Sequence, residues 1–128
     1  AFDLGEDRYR LDNSPFYAYS VSVGDVVYAP VDPREGRPTY SRMLEKSGNR
    51  TVHVILDPPL AGGNSSDDLV QELLGLGCTY EGANPKYLCI VIPPGSDFAA
   101  VCGRLTSPEV QWEHADPAYD ELYPDAAR

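Results

Sequence analysis

Between Thr51 and Ala115 the apolar periodicity changes in the order strand, helix, strand, strand, helix, strand, and few architectures accept that order. It is the order of the split β-α-β unit, in which two helices cover one face of a four-stranded antiparallel sheet. Residues 51–115 are therefore expected to form a ferredoxin-like sandwich. Val52, Val54 and Leu56 alternate with His53 and Ile55, the period of a strand with one face in a core. A first helix opens at Ser65-Ser66-Asp67-Asp68, with Ser65 as the cap and both carboxylates at the positive end of the dipole. It is expected to bury Leu69, Val70, Leu73, Leu74 and Leu76 and to end at Gly75 and Gly77. Cys78-Thr79-Tyr80 and the run from Tyr87 to Ile92 read as a hairpin joined through Gly82-Ala83-Asn84-Pro85. Ser96-Asp97 caps a second helix with Phe98, Val101, Cys102 and Leu105 on one stripe, stopped at Ser107-Pro108. The last strand, Val110 to Ala115, sets Val110, Trp112 and His114 against Gln111 and Glu113.

Residues 1–50 show strand composition and turn signals without a helical period. Strands are expected at Arg8 to Leu11, Val26 to Val31 and Thr39 to Lys46, the last two joined by a long hairpin across Asp32 to Pro38. Phe16-Tyr17-Ala18-Tyr19 suits either a strand or a tight helical turn. The expectation is an α+β chain in which an N-terminal curled sheet or half-barrel packs on the open face of the ferredoxin-like unit. Residues 116–128 follow as an acidic tail rich in Tyr and Pro.

At 128 residues the chain is long enough to bury a core without staples. Its three cysteines lie on apolar faces without C-x-x-C spacing, the pattern of reduced thiols in a cytoplasmic protein. No apolar run reaches spanning length, so no membrane is expected. The net charge of -10 repels nucleic acid and steers basic partners to the surface. That argues against base stacking on Tyr80, Tyr87 and Trp112, and no RNP1 pattern stands on the third strand.

Chemistry-bearing residues are few. His53 and His114 fall on neighbouring strands, where they can approach across one face with Cys89 or Glu113 nearby. No H-x-x-x-H, nucleophile elbow or Walker loop supports a metal, cofactor or catalytic site, and none is expected. Each imidazole is better read as satisfied by a structural partner. Gly62-Gly63-Asn64-Ser65-Ser66 offers an anion seat, but Asp67 and Asp68 beside it argue against phosphate.

Two function classes remain. The first is a non-enzymatic module that binds a basic protein, such as an immunity or inhibitor protein, through Tyr119, Asp120, Glu121, Tyr123 and Asp125. The second binds a small molecule or peptide in a groove between the two halves lined by Tyr17, Tyr19, His53, Trp112 and His114. A free strand edge also leaves room for a homodimer.

Four patches carry a resemblance: Arg10-Leu11-Asp12-Asn13-Ser14-Pro15-Phe16-Tyr17-Ala18-Tyr19, then Val21-Ser22-Val23-Gly24-Asp25-Val26-Val27, then Arg42 to Val54 with Glu45-Lys46-Ser47-Gly48-Asn49-Arg50-Thr51 at its centre, then Leu76-Gly77-Cys78-Thr79-Tyr80-Glu81. On them the chain resembles a bacterial family of small proteins described only as a domain of unknown function. The resemblance implies a bacterial, cytoplasmic protein and carries over no activity. Asp12, Asn13, Asp25, Ser47 and Gly48 are residues that build Asx turns and tight corners, so a scaffold role suffices for these patches.

Overall fold

The structure, a computed structural model, describes residues 1–14, 16, 18–106 and 110–123. The expected helix stop at Ser107-Pro108 lies outside them, as do Tyr17 and Asp125. In chain order the elements are β1 (Phe2–Gly5), β2 (Arg8–Arg10), β3 (Val26–Tyr28), β4 (Val31–Asp32), β5 (Arg37–Pro38), β6 (Arg42–Glu45), β7 (Arg50–Leu56), α1 (Ser65–Gly75), β8 (Thr79–Gly82), β9 (Tyr87–Ile92), α2 (Phe98–Leu105), β10 (Val110–Asp116) and α3 (Tyr119–Leu122). This is an α+β chain whose sheets are antiparallel, and no barrel closes. One sheet has the order β1-β2-β3-β6, a second β10-β7-β9-β8, and β4 pairs with β5.

The second sheet holds the core. Val52, Val54 and Leu56 of β7 and Leu88, Ile90 and Ile92 of β9 pack against Leu69, Val70 and Leu73 of α1 and Val101 and Leu105 of α2. Both helices thus cover the same face, and α1 is tied to α2 by the Arg104–Glu72 ion pair. The stripe expected on α1 is narrower than its leucines suggest. Leu69, Val70 and Leu73 are buried, whereas Leu74 is 38% and Leu76 37% exposed, because both lie off the face that meets the sheet. The cap is Asn64 rather than Ser65. The Asn64 side chain accepts from the N–H groups of Ser66 and Asp67, and Asp67 answers as the other half of a capping box.

The glycine-rich loop before α1 does seat an anion, but the anion is the chain's own. Asp67 Oδ2 accepts from the N–H groups of Ala61, Gly62, Gly63 and Asn64 at 2.9–3.2 Å. These hydrogen bonds hold its carboxyl below the usual carboxylate value of 3.8. A depressed folded-state pKa supplies stability that is present above the unfolded value and lost as pH falls through the folded one. Asp67→Asn is therefore expected to lower the urea midpoint at about pH 7 and to match the parent near about pH 2. An equal deficit at both would show that the carboxylate charge contributes nothing there.

The first fifty residues differ from expectation in detail. The strand expected from Val26 to Val31 divides at Ala29-Pro30, where proline has no N–H for a ladder, into β3 and β4. The long hairpin appears as the short β4–β5 pair, Val31 opposite Pro38, and the third strand shrinks to β6. No strand forms among the described residues of the 16–19 segment. β1 was not foreseen; it pairs with β2 through Glu6 and Asp7, both at positive φ (57° and 62°).

Candidate functional site

Strand register decides which side chains can meet. Glu113 of β10 stands opposite His53 of β7, His53 opposite Cys89 of β9, and Cys89 opposite Glu81 of β8. These four residues make one row on the face away from the helices. His114 stands opposite Val52, a core residue, and so points to the helix face. The two histidines therefore lie on opposite faces, and the expected groove containing both does not form. Tyr19 and His53 share one face, His114 belongs to the other, Trp112 on the edge strand β10 borders grooves on both sides, and Tyr17 is outside the described residues.

On the open face, the segment following β2 lies across the row. Ser14 N–H donates to Glu81 at 3.1 Å, the Phe16 ring sits 5.9 Å from that of Tyr87, and Tyr19 packs 5.9 Å from His53. Glu113 Oε1 accepts from the Tyr19 hydroxyl at 2.8 Å and lies 3.2 Å from His53 Nδ1. The Glu113 hydrogen bond holds the Tyr19 phenol above its ordinary value of 10.0. Cys89 is fully buried in the row, and burial pushes its thiol up to about 11, so it is held as thiol and not as nucleophile. What stays open on this face is a groove of about 220 Å³ lined by His53, Ile55, Tyr87, Gln111, Trp112 and Glu113. That is below the usual range for a small-molecule site, roughly 300–1,000 Å³.

A buried polar joint fixes the two halves. Asp25 and Asp116 approach one cation, Lys46, whose Nζ donates to both at 2.6 Å and to the Ser20 carbonyl at 3.1 Å. The same Asp116 oxygen accepts from Ser22 Oγ at 2.6 Å, and Ser22 Oγ lies 2.5 Å from Thr51 Oγ1. Asp25 also accepts from the N–H groups of Ser22 and Ser47, at 2.8 and 2.7 Å. Ser47 Oγ and Asn49 Nδ2 both donate to the Val23 carbonyl, closing the corner with Gly24 and Gly48 at positive φ. Burial opposes the charge on Lys46, but the hydrogen bonds and charges of Asp116 and Asp25 outweigh it and raise its pKa. The motif patches Ser22 to Val27 and Glu45 to Thr51 thus meet in space at one structural joint.

The family model for a domain of unknown function, DUF4265, matches residues 1–114 and so includes that joint's Ser22, Asp25, Lys46 and Thr51. The chain belongs to this family. A structure described as a novel crystal structure of a hypothetical protein from Neisseria gonorrhoeae is similar to this DUF4265 chain in fold. The TM-score is 0.74 at 15% identity, covering 91% of this chain and 80% of that one. No curated protein matches. The DUF4265 match ends at His114, so α3 and its tyrosines lie beyond it.

The described part of the segment after β10 forms the short helix α3, which buries none of its residues. α3 folds back against β10, the Tyr119 and Tyr123 rings meet at 5.0 Å with their planes tilted 42° to each other, and both rings lie about 6 Å from His114. Glu121 accepts from the Ser20 hydroxyl and, at 3.3 Å, from the Ala118 N–H, which ties α3 to the N-terminal half. Tyr119 and Tyr123 nevertheless remain 54% and 50% exposed beside the exposed Asp120. Tyr119, Asp120, Glu121 and Tyr123 lie on or beside α3, and their anchors, Ser20 and His114, have no local signal in the sequence. No helix among the described residues is long and apolar enough to cross a membrane, and no cluster of three or more metal-ligating side chains occurs among them.

Proposed function

We propose that the chain is a non-enzymatic, acidic protein-binding module for a basic partner, an immunity or inhibitor protein being the concrete form. The observation that supports it best is the half-exposed Tyr119–Tyr123 pair, held beside Asp120 and Glu121 by its contacts to His114 and Ser20. Ordered tyrosines lose little entropy on binding, and a net charge of -10 speeds encounter with a cationic surface. The order β10-β7-β9-β8, with both helices on one face, supports a ferredoxin-like arrangement of residues 51–115. Three free cysteines, two of them buried, support a reducing, cytoplasmic setting.

The test is capture from the host lysate by the immobilised protein at low and high salt, with intact proteins and extracted small molecules read by mass spectrometry. A stoichiometric basic protein released by salt supports the reading. With that partner, neutralising Asp120 and Glu121 as Asp120→Asn and Glu121→Gln is expected to slow association by up to about tenfold at low salt. An unchanged on-rate would remove α3 from the interface. A second reading, a small molecule or peptide on the open face, has one observation in its favour, the Tyr19–Glu113–His53 cluster at the groove. A retained small molecule that resists salt would favour it.

A further inference from the structure

The helix-side surface of β10 carries an unusual concentration of rings. The His114 ring sits 4.8 Å from Trp112 and 5.8 Å from Phe98, and the Tyr119–Tyr123 pair extends the cluster outward. Together they wall a groove of about 450 Å³ between α2, β10 and α3. A second depression adjoins it across His114 and Tyr119 and carries the carboxylates of Glu113, Asp120 and Glu121. Among the described residues, neither is lined by lysine or arginine. The cluster already holds one guanidinium at its far end, where Arg50 lies 4.5 Å over the Phe98 ring. His114 adds no opposing charge, since burial holds its pKa below 6.5, and its Nδ1 is buried without a hydrogen-bond partner among the described residues.

We propose that this groove seats an arginine side chain of the basic partner, its guanidinium plane stacked on one ring of the tilted Tyr119–Tyr123 pair and its charge directed to Asp120 of the adjoining depression. The inference rests on the protein-binding reading and gives that partner its chemistry. Arginine is favoured over lysine because a planar, weakly hydrated cation stacks on an aromatic face, whereas an ammonium keeps its water. The half-exposed tyrosine rings complement that group in shape, and the carboxylates of the adjoining depression complement it in sign.

Trp112 is the only tryptophan in the chain and lines both this groove and the open-face one, so its fluorescence reports occupancy of either, and the tyrosine variants assign the signal to this groove. The experiment titrates the full chain with three blocked tetrapeptides, of arginine, lysine and citrulline, the last being a neutral isostere of arginine. Saturable change with the arginine peptide is expected, with affinity at least about tenfold above lysine and none measurable for citrulline. Tyr119→Leu combined with Tyr123→Leu, which keeps apolar bulk but removes both ring faces, is expected to abolish the discrimination between arginine and lysine. Tyr119→Phe is expected to retain it, which separates ring stacking from the fold of α3. Equal response to citrulline, equal affinity for lysine, or unchanged discrimination in the leucine variant would each overturn the proposal. Failure of the peptides beside intact salt-sensitive capture from lysate overturns the groove alone. Absence of any basic partner in the lysate overturns the protein-binding reading instead.

Discussion

Lys46→Met is expected to lower the unfolding free energy by about 3 kcal/mol, the lower end of the range for removing one partner of a buried ion pair. The side chains of Asp25 and Asp116 are 0% and 6% exposed, and in the parent they share the single ammonium of Lys46. Methionine fills the space of the stem but leaves two carboxylates facing each other with no cation between them. The low end applies because the Lys46 side chain is itself 43% exposed, so water screens part of what the ion pairs supply. Adding Asp116→Asn to Lys46→Met removes one of the unpaired charges while keeping an acceptor for Ser22, and is expected to restore about 1–2 kcal/mol. Urea unfolding of the parent, the single variants and the double variant measures both numbers. Additive losses would mean that Lys46 and Asp116 do not interact in the folded state. The sign against pH follows from the raised pKa of Lys46: its contribution is complete below the ordinary lysine value of 10.5 and fades only as pH climbs through the folded value.

That joint was legible in the sequence only as punctuation. Ser22-Val23-Gly24-Asp25 and Ser47-Gly48-Asn49 announce corners because Gly, Asp and Ser make turns wherever they stand. Nothing local states that the two corners interlock, or that Lys46 points inward to a carboxylate seventy residues away. The second half of the chain was easier to read because its signals are periodic. Alternation over Val52 to Leu56 and the stripe through Val101 and Leu105 report the core directly, and each is buried in the structure. The β1–β2 hairpin escaped notice because its turn places Glu6 and Asp7 at positive φ, where a turn signal normally rests on Asn or Gly. The histidines stand on neighbouring strands, as their order predicts, but the same alternation sets His53 against Val52, Val54 and Leu56 and groups His114 with Val110 and Trp112, so they fall on opposite faces, as the pairing of His53 with Glu113 and of His114 with Val52 shows.

The leucines of α1 expose the same limit at the scale of one residue. Leu73 and Leu74 are adjacent and chemically identical, and composition gives no reason to treat them differently. A helix turns about 100° per residue, so a narrow contact with the sheet takes one and leaves the other at its border. Leu73 is 2% exposed within the cluster formed with β7, β9 and α2, whereas Leu74 is 38% exposed. Leu73→Ala is therefore expected to cost about 2–5 kcal/mol through lost transfer energy and the cavity left behind. Leu74→Ala is expected to stay within about 0.5 kcal/mol, because alanine's higher helix propensity offsets part of the small area lost. Paired urea denaturation curves decide it, provided the slopes stay equal so that only stability has changed. Comparable losses at the two positions would place Leu74 in a buried contact and widen the face of α1 that something must cover. A large loss at Leu73 alone leaves Leu74 and Leu76 as surface on the far side of the sheet from the Tyr19–Glu113–His53 cluster, and so confines the α1 packing to the core already described.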